Sequence, residues 1–308
     1  MSDAAPIYEK LTIVGAGLIG SSVARAARHY GAAGHIAIAD ADEAVLAEAK
    51  SLGLADSYST SIPVAVADAD MVLMAVPVGA MASVAAAAAP ALKSGATISD
   101  VGSVKSSVVN AVQPLLPASV HLIPGHPVAG TEQSGPAAGF ASLFDGRWCI
   151  LTPQEGVNPQ ALEALTAFWS RLGSTVEKMT ADHHDLVLAI TSHVPHLIAY
   201  NIVGTANDLE TVTRSEVIKY SAGGFRDFTR IAASDPTMWR DVFLNNKEAV
   251  LEMLGRFNED LTALQRAIRW GDGDALFDLF TRTRDIRRRI IDAGQDEDEV
   301  DFGRSHED

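Results

Sequence analysis

Leu11-Thr12-Ile13-Val14-Gly15-Ala16-Gly17-Leu18-Ile19-Gly20-Ser21-Ser22-Val23-Ala24-Arg25-Ala26-Ala27-Arg28 is the stretch on which the reading of this chain turns. A β-branched, apolar run ends in glycines spaced G-x-G-x-x-G, and alanine-rich residues of helical character follow. Each glycine has its own task in a strand–turn–helix unit. Gly15 permits the tight turn, Gly17 lets main-chain N–H groups approach a pyrophosphate, and Gly20 lets the helix pack closely on the strand. Leu18 and Ile19 lie within the same loop, where the helix N-terminus offers partial positive charge to an anion.

The spacing alone is a weak sign, and the next apolar run strengthens it. His35-Ile36-Ala37-Ile38-Ala39-Asp40 ends in an acid 20 residues beyond Gly20, where a carboxylate accepts hydrogen bonds from ribose hydroxyls. Its charge repels the 2′-phosphate of NADP, and neither Ala41 nor Asp42 supplies an arginine to neutralise it. The sequence therefore predicts NAD as the cofactor.

Further strands are predicted at residues 71–77, 97–100, 120–125, 148–153 and 174–179, with helices in most of the gaps. Beyond Thr180 the strand pattern stops and apolar residues recur at three-and-four spacing. The fold class expected is α/β: an N-terminal Rossmann-type, mostly parallel sheet domain over 1–180, then an all-helical C-terminal domain over 181–291. Residues 292–308 hold eight Asp or Glu against one Arg, so a solvated, disordered acidic tail is expected there.

Composition narrows the function classes. In 308 residues, 47% hydrophobic content fills a core in each of two domains. A formal net charge of -15 disfavours nucleic acid, which needs a clustered basic surface. The single cysteine, Cys149, and the lack of a leader pattern before Lys10 point to the cytoplasm. Met71 to Leu92 is uncharged over 22 residues, but Pro77, Gly79 and Pro90 interrupt it, so a buried strand, loop and helix are expected rather than a membrane span.

In open α/β sheets, ligands bind beyond the carboxyl ends of the strands, and the residues there are the candidates for chemistry. Val76 and Pro77 follow one predicted strand, Ser103 lies in Asp100-Val101-Gly102-Ser103-Val104-Lys105, and His126 opens His126-Pro127-Val128-Ala129-Gly130-Thr131. An imidazole accepts a proton near neutral pH without a large pKa shift, which fits His126 as a base. The alternative is a loop histidine satisfied by backbone. Ser103 either orients His126, binds the same substrate hydroxyl, or caps the helix after it.

Two more segments lie in the helical half. His193 and His196, three residues apart around Pro195, either line a polar cleft or cap a kink. A metal is not expected, because the chain has one cysteine, no H-E-x-x-H and no acid placed to complete a site. Arg226 and Arg230 are four apart and either share Asp227 as partner or await a substrate carboxylate.

Taken together, GAGLIG, the AVPV at 75–78, DVGSVK, GHPVAGTE with the following QSGPAAGFASLF, HHDLVLAITSHVPH and GGFRDFTRIAASDPTMWRDVF resemble the prephenate/arogenate (cyclohexadienyl) dehydrogenase family of tyrosine biosynthesis, from about Lys10 to residue 290. The resemblance implies NAD-dependent oxidative decarboxylation of prephenate, and of arogenate, by a homodimer joined through the helical domain. It implies His126 as the catalytic histidine, Ser103 beside it, and Arg230 as the holder of a substrate carboxylate. His196 resembles a pocket histidine, Asp227 and Arg226 its edge, and Trp239 a residue near pocket or interface. Two other readings remain open. A β-hydroxyacid or pyrroline-carboxylate type oxidoreductase would favour a catalytic lysine, with Lys219 and Lys247 the ones available after Lys178. A non-catalytic NAD sensor would bind cofactor without turnover.

Overall fold

The computed structural model describes residues 5–131, 133–208 and 222–292. The acidic run from 293 onward and Lys219 lie outside them. Six strands form a parallel sheet in the order β3-β2-β1-β4-β5-β6, from β1 (Tyr8–Val14), β2 (Ala33–Ala39), β3 (Ser57–Ser59), β4 (Met71–Met74), β5 (Thr97–Asp100) and β6 (His121–Leu122). The central strands are apolar on both faces because helices cover both. Alternation within β4 shows this directly. Met71 and Leu73 pack into one core cluster with Leu11, Val23, Phe168 and Trp169, while Val72 and Met74 pack into another with Val84, Ile98 and Val108.

The first helix, α1 (Leu18–His29), starts directly after the glycine turn. Gly15 has φ +100°, and a Cβ there would fall 2.3 Å from the carbonyl oxygen of Ala75. At Gly20 a Cβ would lie 2.0 Å from the Gly15 carbonyl oxygen, so helix and turn touch through bare main chain. Around the sheet follow α2 (Glu43–Ser51), α3 (Ile62–Val66), α4 (Met81–Ala88), α5 (Ser106–Val112) and α6 (Pro159–Arg171).

Two strand expectations need correction, and one strand had no sequence signal. The run at 120–125 is two strands: β6 ends the parallel sheet, and β7 (Gly125–Pro127) opens a second sheet in the order β7-β8-β9 with β8 (Trp148–Leu151) and β9 (Thr175–Lys178). Pro124 is the cause. It has no N–H for the first ladder, and its carbonyl accepts instead from Thr152 N at 2.9 Å in the second. The strand expected over 71–77 stops at Met74, since Pro77 precedes a 3-10 turn, Val78–Ala80, and α4 takes up the rest of the uncharged stretch. β3 was not anticipated, because three polar residues carry no apolar alternation.

After β9 the chain runs through α7 (Ala181–Leu188), a π turn (Ala189–His193) and α8 (Val194–Asp208). Pro195 cannot donate to the preceding turn, and the wider π turn just before it accommodates the break. By length and composition alone Ala181–Asp208 would suffice to cross a membrane, yet it buries His184, Asp185 and His193 within the molecule. Helices Gly223–Thr229 and Pro236–Asn245 follow, and no strand occurs after Lys178 among the described residues.

The chain divides into two compact units, Met1–Leu251 and Glu252–Asp308. The described part of the second unit is the remainder of helix Lys247–Trp270 and helix Gly273–Asp292, turned at Gly271 with φ +71°. Ile268, Trp270, Phe277 and Phe280 are each more than half exposed there.

Candidate active site

β5 ends in Asp100, which is fully buried, and Lys105 lies five residues on, also fully buried. The Lys105 ammonium pairs with Asp100 Oδ2 and donates to the Gly125 carbonyl at 2.6 Å. Asp100 further accepts from Gly102 N at 2.8 Å and Gly125 N at 3.3 Å. Burial pushes the Asp100 carboxyl up and the Lys105 ammonium down, and each charge opposes the shift of the other.

α5 begins at Ser106 with Lys105 as its N-cap and no capping side chain of its own. Asp185 of α7 supplies the cap from 80 residues away: Oδ1 accepts from Lys105 N and Oδ2 from Ser106 N, both at 2.8 Å. The helix-cap reading of Ser103 is thereby corrected. Ser103 sits ahead of the helix, half-buried, and forms no hydrogen bond with His126 among the described residues.

Asp185 Oδ1 also meets His184 Nδ1 at 2.8 Å, and His184 Nε2 meets His126 Nδ1 at 2.8 Å. The protonation pattern of this chain follows from its terminal acid. Burial raises the Asp185 carboxyl, but the hydrogen bonds from His184, Lys105 N and Ser106 N outweigh it and hold the group below its ordinary pKa. An ionised carboxylate only accepts, so His184 Nδ1 carries hydrogen. Burial lowers the pKa of His184, which is neutral at pH 7, so its Nε2 accepts and His126 Nδ1 donates. His126 is held well below the usual histidine value by burial and then by His184 and Lys105. Its Nε2 therefore bears a lone pair, with no hydrogen-bond partner among the described residues.

His193 is fully buried at the end of the π turn. Asn246 Nδ2 donates to His193 Nδ1 at 3.0 Å and to the Asp185 carbonyl at 2.8 Å, tying the start of helix Lys247–Trp270 to α7. Burial, then repulsion from His184 where both rings would be protonated, lowers the His193 pKa from 6.5 to about 4. Its Nε2 lies beside the Ser103 main chain without a well-formed hydrogen bond. His196 stacks on Trp239 with ring centroids 3.6 Å apart, its Nδ1 2.8 Å from the Ser192 carbonyl oxygen. Burial lowers its pKa, and the nearby Arg230 guanidinium adds to this. His126, His193, His196 and Arg230 thus form one line of electrostatic neighbours. Arg230 starts a 3-10 turn after helix Gly223–Thr229, on which Arg226 is exposed and Asp227 half-buried.

At the other end of the parallel sheet, Asp40 Oδ2 accepts from Ala16 N at 2.9 Å, so the acid after β2 also pins the glycine turn. The first turn of α1 has no capping side chain, and nothing lies within 4 Å of a Cβ placed on Gly17. Unpaired helix N–H groups facing open space suit a pyrophosphate. Val76 is half-buried and Pro77 exposed at the end of β4. Among the described residues no group of three His, Cys, Asp or Glu is placed to hold a metal ion.

His184, Asp185, Lys105, Asp100 and Asn246 carry no role that local sequence assigns. DVGSVK carries part of the signal, since an acid ending an apolar strand is unusual, but the pairing across 80 residues is invisible without the fold.

A parallel sheet opening on a glycine turn, with a neutral histidine held beyond its strand ends, defines an NAD-dependent dehydrogenase. Sequence profiles sharpen the class: the prephenate dehydrogenase nucleotide-binding domain matches residues 23–178, and the prephenate dehydrogenase dimerization domain matches residues 180–282. The cyclohexadienyl dehydrogenase of Zymomonas mobilis is 44% identical over 281 residues, covering 91% of this chain and 96% of that protein. The prephenate dehydrogenase of Bacillus subtilis is 32% identical, covering 91% and 75%. The crystal structure of prephenate dehydrogenase from Aquifex aeolicus in complex with hydroxyphenyl propionate and NAD+ superposes with TM-score 0.86 at 34% identity, covering 92% of this chain and 98% of that one. The chain belongs to the prephenate dehydrogenase family.

The buried histidines make stability depend on pH with a definite sign. His193 binds a proton near 6.5 when unfolded and only near 4 when folded, so its contribution is whole above 6.5 and drains away as pH falls towards 4. Between pH 6.5 and pH 5 its share is about 2 kcal/mol, at about 1.4 kcal/mol per unit. Urea unfolding at pH 7.5 and at pH 5 should show this drop, and His193→Gln should flatten it; an unchanged pH slope in the variant would remove His193 as the cause.

Proposed function

We propose that this chain oxidises prephenate, and arogenate as a further substrate, with NAD, losing carbon dioxide to give 4-hydroxyphenylpyruvate or tyrosine. The observation that supports this reading most is the hydrogen-bonded chain Asp185–His184–His126, which leaves His126 Nε2 as a fixed proton acceptor. Substrate oxidation breaks the carbon–hydrogen bond at the ring carbon that bears the hydroxyl. The hydroxyl proton goes to His126 Nε2 as the ring carbonyl forms, the bond to the ring carboxylate breaks with loss of carbon dioxide, its electron pair completes the aromatic ring, and the proton returns from His126 to the ring oxygen to give the phenol. Bound NAD supplies the hydride acceptor. The protein's task is orientation, proton acceptance and carboxylate binding.

In this reading Arg230 holds a substrate carboxylate and Ser103 binds the reacting hydroxyl or steadies His126. His196, kept flat by Trp239, lines the pocket, with Asp227 and Arg226 at its edge. The dinucleotide lies on Gly15, Gly17, Leu18, Ile19 and Gly20, its ribose on Asp40 and its nicotinamide end near Val76 and Pro77. The Aquifex relative holds NAD+ together with hydroxyphenyl propionate, an acid with the aromatic ring that this reaction would produce. The helical half matches a dimerization domain, and the exposed Ile268, Trp270, Phe277 and Phe280 suit a homodimer surface. A cytoplasmic enzyme acting on small molecules, without nucleic acid or membrane as partner, completes the proposal.

NADH absorbance with purified protein, given prephenate or arogenate and each of NAD and NADP, tests the substrate and cofactor together. Turnover with prephenate and NAD is expected; NAD binding without turnover on either substrate would favour the sensor reading. His126→Asn should lower kcat by about a hundred- to ten-thousand-fold with NAD affinity unchanged, and normal turnover would remove His126 from the mechanism. Arg230→Ala should raise the substrate KM strongly, whereas an unaltered KM would refute its carboxylate role.

A further inference from the structure

Lys105 is the one described lysine with no exposed surface, and nothing in the proposed reaction uses it. Burying an ammonium and its carboxylate partner costs several kcal/mol per ion before their attraction is counted, and apolar residues of similar volume often serve a core equally well. The fold alone gives little reason for the pair. Its position gives more. The main-chain N–H of Lys105 holds Asp185, the far end of the hydrogen-bonded chain, while its ammonium holds the carbonyl of Gly125, the residue preceding His126. One residue therefore grips both ends of the Asp185–His184–His126 chain.

We propose that Lys105 is a positioning residue for proton acceptance, fixing the main chain beside His126 and setting a buried ammonium against the carbonyl of the residue that precedes it. The proposal rests on His126 as the acceptor. A buried like charge disfavours the imidazolium, so His126 stays a free base to lower pH than an unaided histidine. The other groups facing it are accounted for. His184 comes from α7 and His193 from the π turn, while Asp185 stands behind His184 and Asp100 behind Lys105. The Cys149 thiol on β8 is pushed up by burial and is uncharged. Among these, Lys105 is a cation whose charge a side-chain substitution removes while its main-chain bond to Asp185 remains.

The test follows the His126 Cε1–H resonance, assigned by its loss in His126→Asn, across pH in the full chain, alongside the pH profile of kcat/KM for prephenate. Lys105→Met should raise the pH at which His126 titrates by on the order of one unit. The acid limb of kcat/KM should move with it, and kcat should fall about ten- to a hundredfold as the ring loses its fixed position. Lys105→Arg, which keeps the charge, should titrate as the wild type does. If Lys105→Met does not fold with Asp100 left unpaired, Asp100→Asn/Lys105→Met removes both charges and should still shift the titration upward, by less than Lys105→Met alone because the opposing Asp100 charge goes too. A His126 titration unmoved by loss of the charge, or an equal shift in the Met and Arg variants, would overturn the proposal. Failure of the wild type to turn over prephenate would instead count against the substrate assignment, since the titration needs no substrate.

Discussion

A single buried carboxylate, that of Asp185, joins the parts of this molecule that matter for chemistry. It stands in for the missing side-chain cap of α5 by accepting from Lys105 N and Ser106 N, and it also accepts from His184 Nδ1. The first two bonds anchor it to the segment leaving β5; the third hands its orientation on to His126. A charge that only accepts, placed at the end of a chain of imidazoles, dictates where every hydrogen along that chain must sit.

The surroundings are arranged so that this charge survives burial. Two carboxylates and one ammonium are withdrawn from water, and main-chain N–H groups of Gly102, Gly125, Lys105 and Ser106 take the place of solvent around the acids. The three buried histidines are neutral at pH 7, which spares the site further desolvation. Such a lattice changes little when a proton arrives at His126, because its dipoles are already aimed. Helix Pro236–Asn245 contributes Trp239, whose indole fixes the plane of His196, while Asn246 at its end ties His193 to the Asp185 carbonyl.

Much of this was legible in the sequence, for identifiable reasons. Glycine spacing and the acid 20 residues later are local signals, and the β-αβ alternation they announce is a parallel sheet. His126 could be singled out because it follows an apolar run, although that run proved to be two strands parted by Pro124. What stayed hidden was contact at long range. Nothing local says that Asp185 caps a helix beginning at Ser106, or that a lysine in SVKSSV turns inward to an acid at a strand end. The π turn before Pro195 was also beyond reach, because periodicity predicts a helix there and cannot register one extra residue in a turn.

The account is tested most directly by the tautomer of His126, read from the nitrogen-15 shifts of both ring nitrogens in the full-length protein at pH 7 to 8. Hydrogen on Nδ1 and a bare Nε2 is the pattern required of a proton acceptor backed by His184 and Asp185. Hydrogen on Nε2, or an imidazolium at that pH, would contradict it.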